Sequence, residues 1–152
     1  MPHIPLSAPV DAFEGFWSSN LPENDLSLIA TNRQPTLIIL NAGRFSLHDY
    51  LKLQFNDPAF QHYNLIAFEL PGWPGTKAPL LRQQADKYDE WVGAAILGDF
   101  CLAMNLTSVH FLSVTYWSSR ILPRFAALFP SIPISLSFNS ALADESSVQS
   151  FP

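Results

Sequence analysis

The sequence predicts an α/β fold with a mostly parallel sheet flanked by helices. Two continuous apolar runs, TLIIL at residues 36–40 and YNLIAF at residues 63–68, are typical of strands buried on both faces. They begin about 27 residues apart, which leaves room for the crossover that parallel strands require. Residues 85–104 carry apolar side chains, from Trp91 to Met104, at the i, i+3 and i+4 spacing of a helix with one core-facing stripe.

The remaining elements follow from turn signals and apolar runs. Residues 26–30 form an apolar run between polar turns and predict a strand, which would belong to an edge hairpin. Residues 109–113 predict a third buried strand, and residues 134–138 predict a fourth. Between them, residues 117–128 predict a helix, in which Pro123 either causes a kink or lies in a late first turn. Residues 47–60 are an irregular or helical connector, and Asp86 is the predicted N-cap of the helix over residues 85–104.

We expect three segments along the chain. Residues 1–34 form an N-terminal segment with a possible edge hairpin, residues 35–140 form the α/β domain, and residues 141–152 form a polar tail. The 152 residues suffice for one packed domain and not for two.

Composition excludes several classes of function. The net charge of −5 provides no basic field for phosphates, so we expect no nucleic-acid partner. No apolar stretch approaches the roughly 18 residues that span a bilayer, and the N-terminus lacks the pattern of a secretory signal. Cys101 is the only cysteine and lies in an apolar run, so we expect a buried, inert thiol in a cytoplasmic protein. No metal-ligand spacing or Gly-rich phosphate loop is present, so we expect neither metal nor cofactor.

Four stretches in a fixed order resemble the N-terminal half of an α/β-hydrolase. They are TLIILNAGRFS, YNLIAFELPGWPGT, YDEWVGAAILGDFCLAMNL and SVHFLSVTYWSSRILPRFAALFPSIPISLSFNS. The similarity covers about residues 35–140, and the phrases at residues 63–68 and 127–130 are similar to those of fungal members. The resemblance implies a partial α/β-hydrolase fold. It also implies ester or acyl substrates, such as those of fungal secondary metabolism that yields polyketides or toxins.

In that family the nucleophile lies in a small-x-nucleophile-x-small turn between a strand and a helix. The resemblance places this turn at residues 113–117, with Ser113 at the first small position and Thr115 at the nucleophile position. The turn departs from the family pattern at Trp117, which occupies the second small position, and the extra methyl of Thr115 crowds the hydroxyl. We therefore expect a degenerate nucleophile turn with a strained backbone.

The resemblance also implies an oxyanion-binding loop after the first buried strand. Its positions here are Asn41, Ala42 and Gly43, and the backbone N–H of Tyr116 would be the second donor. A backbone donor does not depend on the side chain, so the loop tolerates these residues. Glu69, at the end of the second strand, is predicted to organise the following turn and not to act in catalysis.

The other members of a catalytic triad are not evident. In this family the acid and the histidine follow the nucleophile, whereas no histidine follows His110 here, so we expect the chain to correspond to a truncated relative. His110 itself is a strand residue roughly 16 Å from Thr115 along an extended chain, and we expect it to be packed or hydrogen-bonded. His3 lies near the N-terminus, and His48 and His62 lie in the connector; of these, His48 is the remaining candidate base.

Three hypotheses for the function remain open at this stage. The chain is an α/β-hydrolase-like protein for ester or acyl substrates, a non-catalytic pseudoenzyme-like binding module, or a truncated product with little function. Phe45, Trp73 and Trp117, near the predicted loop mouths, favour a module that binds an apolar ligand. The strand over residues 134–138, which contains Ile134 and Phe138, is predicted to be an exposed edge that pairs with a second copy or another chain.

Overall fold

The structure is a computed structural model, and it describes residues 17–41, 55–70 and 90–138. The strands in these ranges are β1 (Trp17–Ser19), β2 (Thr36–Asn41), β3 (Asn64–Glu69), β4 (Val109–Ser113) and β5 (Pro133–Phe138). The α-helices are α1 (Ile29–Asn32), α2 (Glu90–Ala103) and α3 (Tyr116–Leu128), and short 3-10 helices span Pro22–Asn24, Leu26–Leu28 and Pro58–Phe60.

The five strands form one mixed sheet in the order β1-β3-β2-β4-β5. The pairs β2 with β3, β2 with β4, and β4 with β5 are parallel, whereas β1 is antiparallel to β3. The predicted α/β fold with a mostly parallel sheet is therefore confirmed. The strands predicted over residues 36–40, 63–68, 109–113 and 134–138 are all present. A continuous apolar run suits the central strands β2 and β3, which are covered on both sides.

Most of the core lies between one face of the sheet and the helices α2 and α3. Phe68 of β3 stacks on Phe100 of α2 with ring centroids 4.5 Å apart, and Phe111 of β4 meets Phe125 of α3 at 4.8 Å. A smaller cluster around Ile39 lies on the opposite face of the sheet. Both central strands, β2 and β3, are thus buried as the sequence predicts.

Helix α2 buries more of its surface than the single apolar stripe that the sequence predicts. Small residues on the side that faces α3 allow a close approach, and at Gly98 a methyl group would overlap the ring of Phe129. Cys101 is fully buried, and burial raises the pKa of its thiol, as the inert thiol predicted from the sequence requires. The prediction that Trp91 faces the core is wrong. Trp91 is 43% exposed, and its ring lies against the Arg124 guanidinium.

The strand predicted over residues 26–30 is wrong. These residues form the 3-10 helix Leu26–Leu28 followed directly by α1. The Asp25 side chain accepts a hydrogen bond from the Ser27 backbone N–H at 3.0 Å, and Arg33 ends α1 in the left-handed region at a φ of 56°. A local cap at each end therefore decides between helix and strand, and the antiparallel edge strand is β1 instead.

Helix α3 begins at Tyr116 and contains Pro123 in its interior, so the alternative of a late first turn does not apply. His110 Nδ1 lies 2.8 Å from Ser135 Oγ, which confirms a hydrogen-bonded strand histidine. The predicted cap at Asp86 lies outside the described residues. In the part of the chain that the structure describes, no helix is both long and apolar enough to cross a membrane.

Candidate active site

The sheet topology identifies a candidate ligand-binding site at the carboxyl ends of the strands. The chain passes from β2 to β3 on one side and returns to β4 on the other side of β2. In open α/β sheets, ligands bind outside the carboxyl ends of the strands at such a switch point. Two of the predicted site residues lie at this switch point. Asn41 ends β2, and Thr115 lies between β4 and α3. The backbone N–H of Val114 reaches the Leu40 carbonyl at 3.4 Å, which brings the two strand ends together.

Thr115 is the N-cap of α3. Its hydroxyl accepts a hydrogen bond from the Ser118 backbone N–H at 3.3 Å, and its own backbone N–H donates to Ser118 Oγ at 3.0 Å. These reciprocal bonds form a capping box, which satisfies N–H groups that the first helical turn otherwise leaves without partners. The two hydroxyl oxygens lie 3.1 Å apart. The Thr115 hydroxyl is therefore directed toward the helix that it caps.

The backbone at Thr115 is extended, with φ −137° and ψ 162°. The strained turn expected from the nucleophile pattern is not found there, because these angles are in the broad region that any residue adopts. Ser118 completes the arrangement, since its hydroxyl donates to the Thr115 carbonyl at 2.9 Å. A relaxed helix cap thus occupies the position at which the family has a strained elbow.

Two serines contact each other where the end of β4 meets the first turns of α3. Ser113 Oγ of β4 lies 2.7 Å from Ser119 Oγ of α3, and both residues are buried. The Ser119 hydroxyl also contacts the Thr115 carbonyl at 3.0 Å. The small residue that faces β4 from the helix is consequently Ser119. Trp117, at the second small position of the pattern, is 45% exposed and does not have to fit between strand and helix.

Arg120 links Tyr116 to helix α2. Arg120 Nη1 donates to the Tyr116 hydroxyl at 2.8 Å, and Arg120 Nε lies 2.7 Å from Glu90 Oε1 at the start of the described part of α2. The Arg120 guanidinium also lies over the Tyr116 and Trp117 rings, at 5.6 and 6.0 Å from their centroids. The Glu90 side chain is only 13% exposed, so the ion pair is shielded from water more than a typical surface pair.

The described histidines lie away from this position. His62 precedes β3 by two residues, at the amino end of the sheet, and a six-residue strand is roughly 20 Å long. His110 is held by Ser135 inside the sheet. Among residues 17–41, 55–70 and 90–138, no group of three or more metal-ligating side chains is present. His3 and His48 lie outside the described residues, as do the predicted positions Ala42 and Gly43 and the aromatic residues Phe45 and Trp73.

A cavity of about 670 Å³ lies at the opposite, amino end of the sheet. Its wall includes Trp17, Ile29, Thr36, Met104 and Val109, and it is more apolar than polar. Because the amino and carboxyl ends of parallel strands lie at opposite ends of a sheet, this cavity is separate from the region around Thr115.

Sequence reasoning missed Ser118, Ser119 and the Glu90–Arg120 pair. The spacing Thr115-x-x-Ser118 is close to the capping-box pattern and carried the signal for the first of these. Ser119 lies four residues after Thr115, one helical turn away, so it follows once Thr115 is taken as the cap. The ion pair joins two helices, and no local sequence pattern reports it.

Three solved structures are similar in fold. Cfl2 from Burkholderia cenocepacia has a TM-score of 0.56 at 19% identity, over 72% of this chain and 35% of that chain. A membrane phospholipase A, described as a bacterial virulence factor, has a TM-score of 0.61 at 23% identity, over 74% and 34%. A predicted CIB-like hydrolase from Thermoplasma acidophilum has a TM-score of 0.61 at 18% identity, over 76% and 55%. No protein-family model and no curated protein sequence matches the chain.

The mixed sheet, its helices and the similarity to the phospholipase A and the CIB-like hydrolase together show a partial α/β-hydrolase fold. The aligned part of this chain spans between 34% and 55% of the length of the similar structures. At these identities the similarity establishes the fold and not the chemistry.

Proposed function

We propose that this protein is a member of the α/β-hydrolase superfamily that binds an ester or acyl ligand at the carboxyl end of its sheet, without efficient triad catalysis of its own. The fold supports the first part, and two of the similar structures are described as a phospholipase A and a hydrolase. The switch point between β2 and β4 supports the location of the ligand.

The single observation that carries the proposal is the capping geometry of Thr115. A hydroxyl nucleophile needs an adjacent base and an exposed approach to the reacting carbon. The Thr115 hydroxyl instead lies 3.3 Å from the Ser118 backbone N–H and 3.1 Å from Ser118 Oγ, on an extended backbone. A hydroxyl that accepts from a backbone N–H is a weaker nucleophile, because this bond engages one of its two lone pairs and withdraws electron density from the oxygen.

The positions of the described histidines support the same conclusion. Neither His62 nor His110 reaches Thr115, so neither removes its proton. Loss of the triad typically lowers the rate of a serine hydrolase by about six orders of magnitude, and roughly 10³ to 10⁴ over water remains from the oxyanion site and binding. The backbone N–H groups of Asn41 to Gly43 and Tyr116 are the proposed donors to a ligand carbonyl.

The finer parts of the proposal rest on the sequence. The similarity of residues 63–68 and 127–130 to fungal α/β-hydrolases supports a ligand from secondary metabolism, of the polyketide or toxin type. The buried, reduced Cys101 is consistent with the proposed cytoplasmic location. The segment boundaries at residues 34/35 and 140/141 are part of the same proposal.

The experiment combines an esterase assay with ligand binding. Wild type, Thr115→Ala and Thr115→Ser are compared for hydrolysis of p-nitrophenyl butyrate, and methyl octanoate is titrated while tryptophan fluorescence and Tm are followed. We expect the same slow hydrolysis in all three proteins and a saturable fluorescence change with a rise in Tm. Hydrolysis that is lost in Thr115→Ala and retained in Thr115→Ser would show that Thr115 is a nucleophile.

A matched pair of variants locates the ligand. Trp117 and Leu102 are exposed to similar extents, 45% and 42%, but Trp117 lies in the first turn of α3 and Leu102 lies near the end of α2 at the amino end of the sheet. We expect Trp117→Ala to weaken methyl octanoate binding at least about fivefold, by loss of apolar contact area, and Leu102→Ala to leave it unchanged. Equal effects, or no binding by wild type, would contradict the proposed site.

A further inference from the structure

The strand β5 lies at the edge of the described sheet, and within the described residues it lacks the usual features that protect an edge. Natural edge strands are short, charged or covered. The opposite edge strand, β1, has only three residues, whereas β5 has six residues and no charge. Ile134 and Phe138 are 59% and 43% exposed, so apolar side chains accompany the backbone groups at this edge. Among the described residues, no strand pairs with the outer side of β5.

We propose that β5 pairs with β5 of a second copy of this chain, antiparallel and about a twofold axis at Leu136. The sequence of the strand, PISLSF, is symmetric about this residue, with a serine on each side and an apolar residue beyond each serine. In this register Leu136 lies opposite Leu136 of the partner subunit. Ser135 lies opposite Ser137 of the partner subunit, and Ile134 lies opposite Phe138 of the partner subunit. Like is thus matched with like at every position.

The register also suits the packing around the strand. Leu136 lies opposite Phe111 of β4 and packs against the main core, on the face of the sheet that carries α3. The twofold axis of an antiparallel strand pair is perpendicular to the sheet, so both copies place α3 on this same face. Ile134 and Phe138, two residues before and after Leu136, lie on this same face of the strand, and both are exposed. Dimerisation would remove this apolar surface from water.

The absence of charge on β5 favours a second copy as the partner. Each copy carries a net charge of −5, but none of that charge is on the strand, so self-pairing opposes no like charges in the register. The irregularity in the β4–β5 register lies between Val109 and His110, beside the start of β5. From Ser135 to Phe138, β5 pairs regularly with β4, so the centre of the proposed register lies in the regular part of the strand.

Charge-pair variants at the two serines test the register. Ser135 and Ser137 are both exposed, so S135K/S137K and S135E/S137E change the edge and leave the core intact. In the proposed register each variant places like charges directly opposite at two positions, and a mixture of the two places opposite charges there. Mass by analytical ultracentrifugation is measured for wild type, each variant and the mixture, with circular dichroism to verify folding. L102K, on α2, is the control for an added charge away from the edge.

We expect wild type and L102K to dimerise, each serine variant to dissociate at least about tenfold more readily, and the mixture to form a heterodimer. A wild type that remains monomeric at 200 µM would overturn the proposal. It would also be overturned by folded serine variants that dimerise as well as wild type, or by a mixture that shows no heterodimer. Esterase and ligand-binding results do not enter this test, so its failure is independent of the proposed function.

Discussion

Thr115 and Ser118 cap each other at the junction of β4 and α3. The Thr115 hydroxyl accepts from the Ser118 backbone N–H at 3.3 Å, and Ser118 Oγ accepts from the Thr115 backbone N–H at 3.0 Å. The position that corresponds to a nucleophile in the family therefore stabilises a helix here. Four consequences of the local structure are open to direct measurement.

The first concerns the cap itself. We expect Thr115→Ala to lower the free energy of unfolding by about 1 kcal/mol, because two N–H groups of the helix terminus lose their partners or their geometry. Thr115→Ser keeps the hydroxyl and should lie within a few tenths of a kcal/mol of wild type. Urea unfolding followed by circular dichroism compares the three proteins. Equal stability of the Ala and Ser variants would mean that the capping bonds contribute nothing.

The second concerns the contact between α2 and α3 at Gly98. Alanine favours a helix over glycine by about 1 kcal/mol, but a methyl at this position overlaps the Phe129 ring. Overpacking typically costs about 1–3 kcal/mol, so after the propensity gain we expect Gly98→Ala to destabilise the protein by up to about 2 kcal/mol. A double-mutant cycle with Phe129→Leu tests the cause, since the smaller side chain should relieve much of the loss. If the effects of the two substitutions on the free energy of unfolding are additive, the strain in Gly98→Ala does not come from the Phe129 ring.

The third concerns pH. Burial raises the pKa of the Cys101 thiol above its ordinary value, so the unfolded chain loses this proton at lower pH than the folded protein does. The contribution of Cys101 to stability is therefore constant below about pH 8.5 and falls by up to about 1.4 kcal/mol per pH unit above it. The difference in unfolding free energy between wild type and Cys101→Ala should shrink by about 2 kcal/mol from pH 7.5 to pH 10.

The Cys101→Ala variant is itself the control, because lysines and tyrosines that titrate at high pH are the same in both proteins. If the difference in unfolding free energy between the two proteins stays constant with pH, the thiol ionises as readily in the folded protein as in the unfolded chain. Reaction with a thiol reagent should likewise be slow in the native protein and fast in urea.

The fourth concerns Pro123 in the interior of α3. A proline there removes one helical hydrogen bond and crowds the carbonyl of Ser119, four residues earlier. We expect Pro123→Ala to raise the free energy of unfolding by about 1–3 kcal/mol. Pro130, which follows the helix and is exposed, is the matched control, and Pro130→Ala should have little effect. A loss of stability in Pro123→Ala would indicate that the proline itself contributes to the packing of α3.

The sequence predicted the sheet and the two long helices because their signals are strong and local. The apolar runs that became β2, β3, β4 and β5 each indicated a strand. Residues 26–30 were predicted incorrectly although their run is as long as TLIIL, because the apolar run alone does not distinguish a strand from a helical turn. The Asp25 cap decides between them through one side-chain bond.

The sequence predicted the position of the candidate site in the fold. It did not predict the backbone conformation of the site or its side-chain contacts. The strand, turn and helix placed Thr115 at the switch point, and its identity as a cap was encoded in the spacing to Ser118. Neither the contact of Ser119 with Ser113 nor the pairing of Arg120 with Glu90 was predicted, because both depend on how α3 packs. The exposed position of Trp117 also follows from the helix that begins at Tyr116.

The most direct test of the proposed function is covalent labelling by a fluorophosphonate, which reacts with activated hydroxyl nucleophiles. Purified protein is incubated with the reagent, and intact mass and peptide mass spectrometry are recorded beside an active serine hydrolase as a positive control. We expect no adduct on Thr115, because its hydroxyl caps α3 and no described histidine reaches it. Stoichiometric labelling of Thr115 that is absent after denaturation would contradict it and would establish a working nucleophile.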